Sequence, residues 1–169
     1  MQFALQGAKV RLTHKNERLE KHGDDEVLAC DLDFEYEAAN SVLAEFHPDL
    51  RSAIYKRPSA EVQGELQEDP DHLTELRVPE LGGHIKFAGS LEKAELLFSK
   101  GSRKHVVFPE AKIHKFAFEC KEGGTVVVRF QAQVHPDEAQ SGKLSGLLQD
   151  KHCLVTVTPS EGSQPPLAG

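Results

Sequence analysis

The sequence has no tryptophan, two tyrosines, one methionine and three widely spaced cysteines. No apolar run approaches the ~20 residues that a membrane-spanning helix needs, and the amino-terminal residues lack the pattern of a signal peptide. Cys30, Cys120 and Cys153 each lie in an apolar alternating stretch, where a reduced cysteine behaves as a small hydrophobic residue. These absences predict a reduced protein in the cytoplasm, without membrane contact.

The sequence also lacks the short motifs of common catalytic and metal sites. It contains no Gly-x-Ser-x-Gly elbow, phosphate loop or dinucleotide fingerprint. It also has no Cys-x-x-Cys or His-x-x-x-His pair of the kind that structural zinc sites use. We therefore predict a protein that is not an enzyme and that has no catalytic residues, no cofactor and no metal site.

The strongest fold signal is a hairpin from Phe116 to His135. Gly123-Gly124 supplies the positive φ of a tight turn between two strands. After this turn, apolar residues alternate with polar ones, and the polar set is Arg129, Gln131, Gln133 and His135. Alternation with period two predicts an antiparallel sheet that has one core face and one solvated face.

The same period predicts further strands at 3–13, 28–37, 84–87, 94–98, 106–108 and 153–157. Short helices are predicted at 40–46, after Pro48 and at 137–148, and a polar loop at 15–26. At 169 residues the chain fits one domain. We predict a single α+β domain over 1–159 that is rich in antiparallel strands, with two or three short helices. An exposed acidic loop at 57–77 and a disordered tail at 160–169 complete the prediction.

The charges are divided unevenly along the chain. Residues 1–83 hold 9 basic and 18 acidic side chains, whereas residues 84–169 hold 11 basic and 9 acidic ones. Basic strands with interleaved aromatics bind single-stranded nucleic acid through phosphate contacts and base stacking. The candidate residues are Lys86, Lys93, Lys100, Arg103, Lys104, Lys112, Lys115 and Arg129. Because Phe116 and Phe118 are in phase with Cys120, core phenylalanines under a solvated basic surface remain the simpler interpretation.

The strand at 28–37 carries Asp31, Asp33, Glu35 and Glu37 on one face, about 6.6 Å apart along the strand. A row with this spacing fits three interpretations: a mimic of DNA phosphates, a Mg²⁺ site, or a solvated face that discourages aggregation. The solvated face is favoured. With Asp24 and Asp25, the row is the candidate surface for a protein partner.

Three segments carry a resemblance to a known group of proteins. They are Arg18-Leu19-Glu20-Lys21-His22-Gly23-Asp24-Asp25, Phe46-His47-Pro48-Asp49-Leu50-Arg51, and Glu122-Gly123-Gly124-Thr125-Val126 running to Val134-His135-Pro136-Asp137. Together they resemble a family of small, mostly unannotated proteins from tailed phages and prophages, over most of 1–158. The resemblance implies a phage protein inside a bacterial cell, in some cases encoded near recombination genes. It implies no catalytic or binding residues.

From the charge layout and this resemblance we expect a non-enzymatic accessory protein of phage DNA metabolism. Its partner would be single-stranded DNA or a phage recombination protein, and it could form a homo-oligomer. The alternative is an inhibitor of a host enzyme or defence complex, which would bind a host protein through the acidic, DNA-mimicking surface.

Overall fold

The computed structural model of the protein describes residues 1–58, 72–150 and 152–161, with every side chain in them except that of Arg103. Most of the predicted acidic loop and of the predicted tail lies outside these residues. The strands are β1 Leu5–His22, β2 Asp25–Ala39, β3 Tyr55–Lys56, β4 Glu75–Leu76, β5 Ile85–Phe87, β6 Leu91–Lys100, β7 Arg103–Cys120, β8 Thr125–Val134 and β9 Cys153–Thr158. The helices are α1 Leu43–Phe46, α2 Leu50–Ile54 and α3 Glu138–Leu147, and a 3-10 turn at Asn40–Val42 precedes α1.

Six long strands close into an antiparallel barrel in the order β7-β6-β9-β1-β2-β8, and β8 pairs with β7 again. The short strand β5 pairs with the end of β7, beyond the segment that pairs with β6. Strands β3 and β4 form a separate two-stranded sheet. The predicted α+β domain dominated by antiparallel strands is therefore confirmed.

Closure depends on irregularities that bend the strands. The register shifts between Leu12 and His14 in β1, and between His114 and Ala117 in β7. An extra residue on one strand of a pair increases local twist and bends that strand, which is how a sheet curves into a barrel. Gly7, with a φ of 54°, lies in a further shift, where β1 meets β9.

The core fills the barrel and is dominated by phenylalanine. Phe3 lies on the amino-terminal segment before β1, and its ring centroid is 5.3 Å from that of Phe46 on α1 and 5.0 Å from that of Phe116. Phe116 and Phe118 are buried, as their phase predicts. The alternation along β8 is also confirmed, since Val126, Val128, Phe130, Ala132 and Val134 are all buried.

Helix α3 packs against the barrel near the other end of β7. Asp137 caps the helix by accepting from the backbone N–H of Gln140, and the Gln140 side chain accepts in return from the backbone N–H of Asp137. This reciprocal capping box stabilises the helix start. The Lys15 ammonium, almost fully buried, donates to the Ser141 hydroxyl at 3.0 Å and to the Ser145 hydroxyl at 2.8 Å. These bonds attach α3 to β1.

The predicted polar loop at 15–26 is wrong. Those residues form the end of β1, a turn at Gly23-Asp24 and the start of β2, with His22 opposite Asp25. Pairing of β2 with β8 ends at Cys30 opposite Val134. The hairpin beyond that point, which we call the arm (residues 18–29), has no strand from β8 beside it.

Candidate functional site

Five of the eight predicted nucleic-acid-binding residues are exposed lysines on neighbouring strands, and one of them, Lys100, is paired with Asp150. The other four form no ion pair among the described residues. Lys86 lies on β5, Lys93 on β6, and Lys104 and Lys115 on β7. We call these four residues the lysine ribbon.

Three lysines of the ribbon lie close together along the strands. Lys86 is opposite Ala117 in the register, two residues beyond Lys115. Lys93 lies in the β6 irregularity between Leu91, opposite Ile113, and Ala94. Lys86, Lys93 and Lys115 therefore lie along one stretch of β7, residues 111–117, and we call these three the cluster. Lys104 lies near the opposite end of β7, about 36 Å from Lys115 along the strand at ~3.3 Å per residue.

Two lysines of this cluster have an unusual backbone. Lys93 and Lys115 each have a φ of 53°, a left-handed conformation that residues other than glycine adopt at a cost. Both lie where the strand register shifts. The irregularities that curve the barrel therefore coincide with the exposed lysines.

Three other predicted binding residues are already paired with acidic groups. The Arg129 guanidinium is 2.8 Å from Glu35, and Lys112 and Lys100 form ion pairs with Glu92 and Asp150 at 3.3 and 3.6 Å. The side chain of Arg103, the eighth predicted residue, lies outside the described part of the chain.

The aromatic side chains are buried, so the outer surface of the described residues offers little for base stacking. Phe98, Phe108, Phe116 and Phe118 are between 0 and 4% exposed, and Tyr36 and Tyr55 are buried as well. Phe87 is half-buried and lies 5.3 Å from the ring of Phe46, centroid to centroid. Contacts of this surface with a nucleic acid would therefore be made mainly to phosphates.

The acidic row of β2 faces the polar row of β8 and is bound to it. The Gln131 amide donates to Asp33 at 2.8 Å, and Arg129 donates to Glu35 at the same distance. Asp31 accepts from Arg18 on β1. Glu37, the most exposed member, is 3.8 Å from the Lys121 ammonium. Three of the four carboxylates are thus paired with a cation and the fourth is bound to an amide, so the row does not present a run of unpaired carboxylates.

The other two residues of the predicted acidic surface lie at the tip of the arm. Asp24 belongs to the turn and Asp25 begins β2, and both are exposed. Their carboxylates are exposed to solvent, and they lie at a distance along the chain from the acidic row of β2.

The structure also brings together a group that the sequence does not connect. Glu20 and His22 lie on the arm, and His135 directly follows β8. A carboxylate oxygen of Glu20 and one ring nitrogen from each of the two histidines lie within 4.8 Å of one another. Hydrogen bonding from Arg18 to its charged form holds the pKa of Glu20 below its ordinary value, and the nearby His135 acts in the same direction. The period of a strand places Glu20 and His22 on one face, but no sequence signal adds His135.

The cysteines are not poised for nucleophilic chemistry. Burial raises the pKa of Cys30 and of Cys153 to about 11, and it also raises the pKa of Cys120. Because the thiolate is the reactive form, thiols that stay protonated at neutral pH are poor nucleophiles. Their burial is consistent with the structural role that the sequence predicts for them.

Strands β1 and β2 separate at one end, because their pairing begins only at Arg11 opposite Glu35. A cleft of about 590 Å³ lies there, lined by Lys9, Arg11, Glu35, Tyr36, Glu37 and His152. Its basic and acidic lining groups are intermixed, so the cleft has no strong preference for either charge.

Comparisons with known proteins do not extend these observations: the chain matches no protein-family model, no curated protein and no solved structure. The resemblance to phage proteins therefore stays a prediction. Within the described residues, no helix is both long enough and apolar enough to cross a membrane.

Proposed function

We propose that this protein is a non-enzymatic binding protein that holds single-stranded DNA on the lysine ribbon. The observation that best supports this proposal concerns four lysines: Lys86, Lys93, Lys104 and Lys115 are exposed and form no ion pair among the described residues. Cations that are not neutralised by the protein are free to replace the counterions of phosphates, which is the main source of affinity for a nucleic-acid backbone.

The buried aromatics define the kind of binding. With no fully exposed phenylalanine or tyrosine among the described residues, the protein would gain little of the roughly 1–3 kcal/mol per base that stacking supplies. Affinity would then be modest, independent of base sequence and strongly dependent on salt. For a single strand, each phosphate contact contributes about −0.7 to the slope of log K against log salt, so three or four contacts predict a slope between about −2 and −3.

The setting follows from the resemblance to phage proteins. The protein would act in the cytoplasm of a bacterial host during phage DNA metabolism. A phage recombination protein bound to the same DNA is the matching protein partner, and a homo-oligomer would align several ribbons along one strand.

The experiment is a fluorescence-anisotropy titration with a labelled oligonucleotide at two salt concentrations. The wild type should bind at micromolar protein in low salt and lose affinity in higher salt. The triple variant Lys86→Gln, Lys93→Gln and Lys115→Gln should lose most of this binding. A matched control, Lys9→Gln, Lys21→Gln and Lys56→Gln, changes the net charge equally at other positions and should bind nearly as the wild type does. Absence of salt-sensitive binding by the wild type, or equal losses in both triple variants, contradicts the proposal.

The alternative is an inhibitor of a host protein. It would bind that protein through the acidic residues at the tip of the arm. Asp24 and Asp25 keep exposed charges, whereas the β2 row is mostly bound by its neighbours. Capture of one stoichiometric host protein that is lost in the variant Asp24→Asn, Asp25→Asn, together with no DNA binding, would favour the inhibitor over the DNA-binding protein.

A further inference from the structure

We propose that Glu20, His22 and His135 form a binding site for one divalent transition-metal ion, with zinc as its representative. The site is separate from the lysine ribbon and does not depend on it. Two imidazoles and one carboxylate are a donor set that zinc accepts, with a water molecule as the fourth ligand.

The distances fit such an ion better than they fit hydrogen bonds. Nε2 of His22 and Nε2 of His135 each lie 3.4 Å from the same oxygen, Oε2 of Glu20. Good N–H···O bonds are shorter, at about 2.7–3.2 Å. In a tetrahedral site with metal–ligand distances of about 2.0–2.1 Å, neighbouring ligand atoms are about 3.4 Å apart. The two Nε2–Oε2 separations match this tetrahedral edge, and all three ligand atoms lie within 4.8 Å of one another.

The carboxylate is already oriented for coordination. Oε1 of Glu20 accepts from the Arg18 guanidinium at 2.6 Å and from the Gln133 amide at 3.0 Å. These bonds occupy one oxygen and direct the other, Oε2, at the two imidazoles. Outer partners of this kind fix metal ligands in place and contribute to metal affinity.

The local charge also favours a cation. Arg18 is shared between Glu20 and Asp31, so its charge is offset by two carboxylates. Residues 18–31 hold two basic and five acidic side chains, so this hairpin segment carries net negative charge.

Binding would have a structural consequence, because the ligands come from two parts of the fold. Glu20 and His22 belong to the arm, and His135 belongs to the connection between β8 and α3. The arm has no β8 strand beside it, so a bound ion would strengthen its attachment to the barrel, which the Gln133–Glu20 hydrogen bond already begins. Lys21, exposed between two of the ligands, would then be a poorer trypsin site.

The test is isothermal titration of the full chain with zinc chloride at neutral pH. The wild type should bind one ion with micromolar affinity, and His22→Gln, His135→Gln and Glu20→Gln should each weaken binding about tenfold or more. The control is His14→Gln, an exposed histidine on the same strand, which should leave the affinity unchanged. Both ligand histidines are exposed, so their variants should fold, and circular dichroism checks this. If one variant unfolds, the other carries the test.

A second readout is trypsin cleavage after Lys21. Zinc should slow it in the wild type and in His14→Gln, and should not slow it in His135→Gln, whose substitution lies outside the arm. The proposal is overturned if the wild type binds no zinc at millimolar concentration, or if the three ligand variants bind as the wild type does. It is also overturned if zinc leaves cleavage of the wild type unchanged.

Discussion

The backbone N–H of Asn40 donates to the carbonyl oxygen of Gly124 at 2.8 Å, which ties the end of β2 to the turn that precedes β8. Asn40 is a buried polar residue, 4% exposed. Its side-chain oxygen accepts from the Arg51 guanidinium at 2.8 Å, and its amide nitrogen donates to the carbonyl of Leu73. One residue thus connects the barrel, helix α2 and the segment before β4.

The first prediction follows from this connection. Asn40→Ala should lower the free energy of unfolding by about 2–3 kcal/mol, because it removes two hydrogen bonds and leaves the carbonyl of the half-buried Leu73 without its partner. Urea denaturation measures the change. Ser41→Ala, at the exposed neighbouring position, should change the stability by less than about 0.5 kcal/mol. Equal effects of the two substitutions would contradict this role of Asn40.

The second prediction concerns Lys93 and Lys115, whose backbone is in the left-handed conformation. Lys115→Gly and Lys93→Gly should each raise the free energy of unfolding by about 0.5–1 kcal/mol, because glycine adopts a positive φ without the steric cost that lysine meets. The control is Lys86→Gly in β5, which should instead cost about 0.5–1 kcal/mol, as glycine does within a strand. Denaturant midpoints measure all three. A lower free energy of unfolding in Lys93→Gly and Lys115→Gly would show that lysine is not strained at these two positions.

The third prediction is a pH dependence from His114. Burial, followed by the charges of Lys112 and Lys115, lowers the pKa of His114, while Asp31 and the Gln131 amide act in the opposite direction. The neutral imidazole is therefore favoured in the folded state, and the stability it contributes is present above the unfolded pKa of 6.5 and is lost as the pH falls through the lower folded value.

His114→Gln tests this sign. Relative to the wild type, the variant should gain in free energy of unfolding as the pH is lowered from 7.5 to 5, measured by urea denaturation at several pH values. Taking the difference between the two proteins cancels the contributions of other groups, among them Glu45, whose pKa is raised by burial. A difference that does not change with pH would contradict the prediction.

The fourth prediction concerns thiol reactivity. Cys30 and Cys153 are buried and their pKa values are raised to about 11, so neither should react with a thiol-specific chromogenic reagent at pH 8 in the folded protein. Cys120 is half-buried and accounts for any slow reaction, which Cys120→Ser should remove. All three thiols should react in guanidinium chloride. Rapid labelling of two or more thiols in the native protein would contradict this assignment.

Local patterns predicted a large part of the fold. The hairpin of β7 and β8 has the expected turn at Gly123-Gly124, where both residues have positive φ. Its valine row is buried as expected. The helix after Pro136 begins as expected, with Asp137 as its cap. Each of these depends on residues within a few positions of one another, which is where alternation, turn chemistry and capping act.

Residues 18–26 of the arm were missed because none of their side chains is buried. Leu19, near the base of the arm, is 65% exposed, so apolar residues there do not alternate in phase with burial. A strand pair without a row of buried apolar side chains leaves no hydrophobic period in the sequence. Its polar composition is the same as that of a loop.

The sequence by itself determined the core-facing rows of β2 and β8 and the turn at Gly123-Gly124, because these depend on side-chain polarity and on local backbone preference. Only the tertiary structure decided which charges remain free. The ion pair of Arg129 with Glu35 joins residues 94 positions apart, and the approach of His135 to Glu20 joins residues 115 positions apart. Strand order and register set such distances, and no local pattern contains them. The proposed DNA surface and the proposed metal site therefore both depend on how the barrel closes.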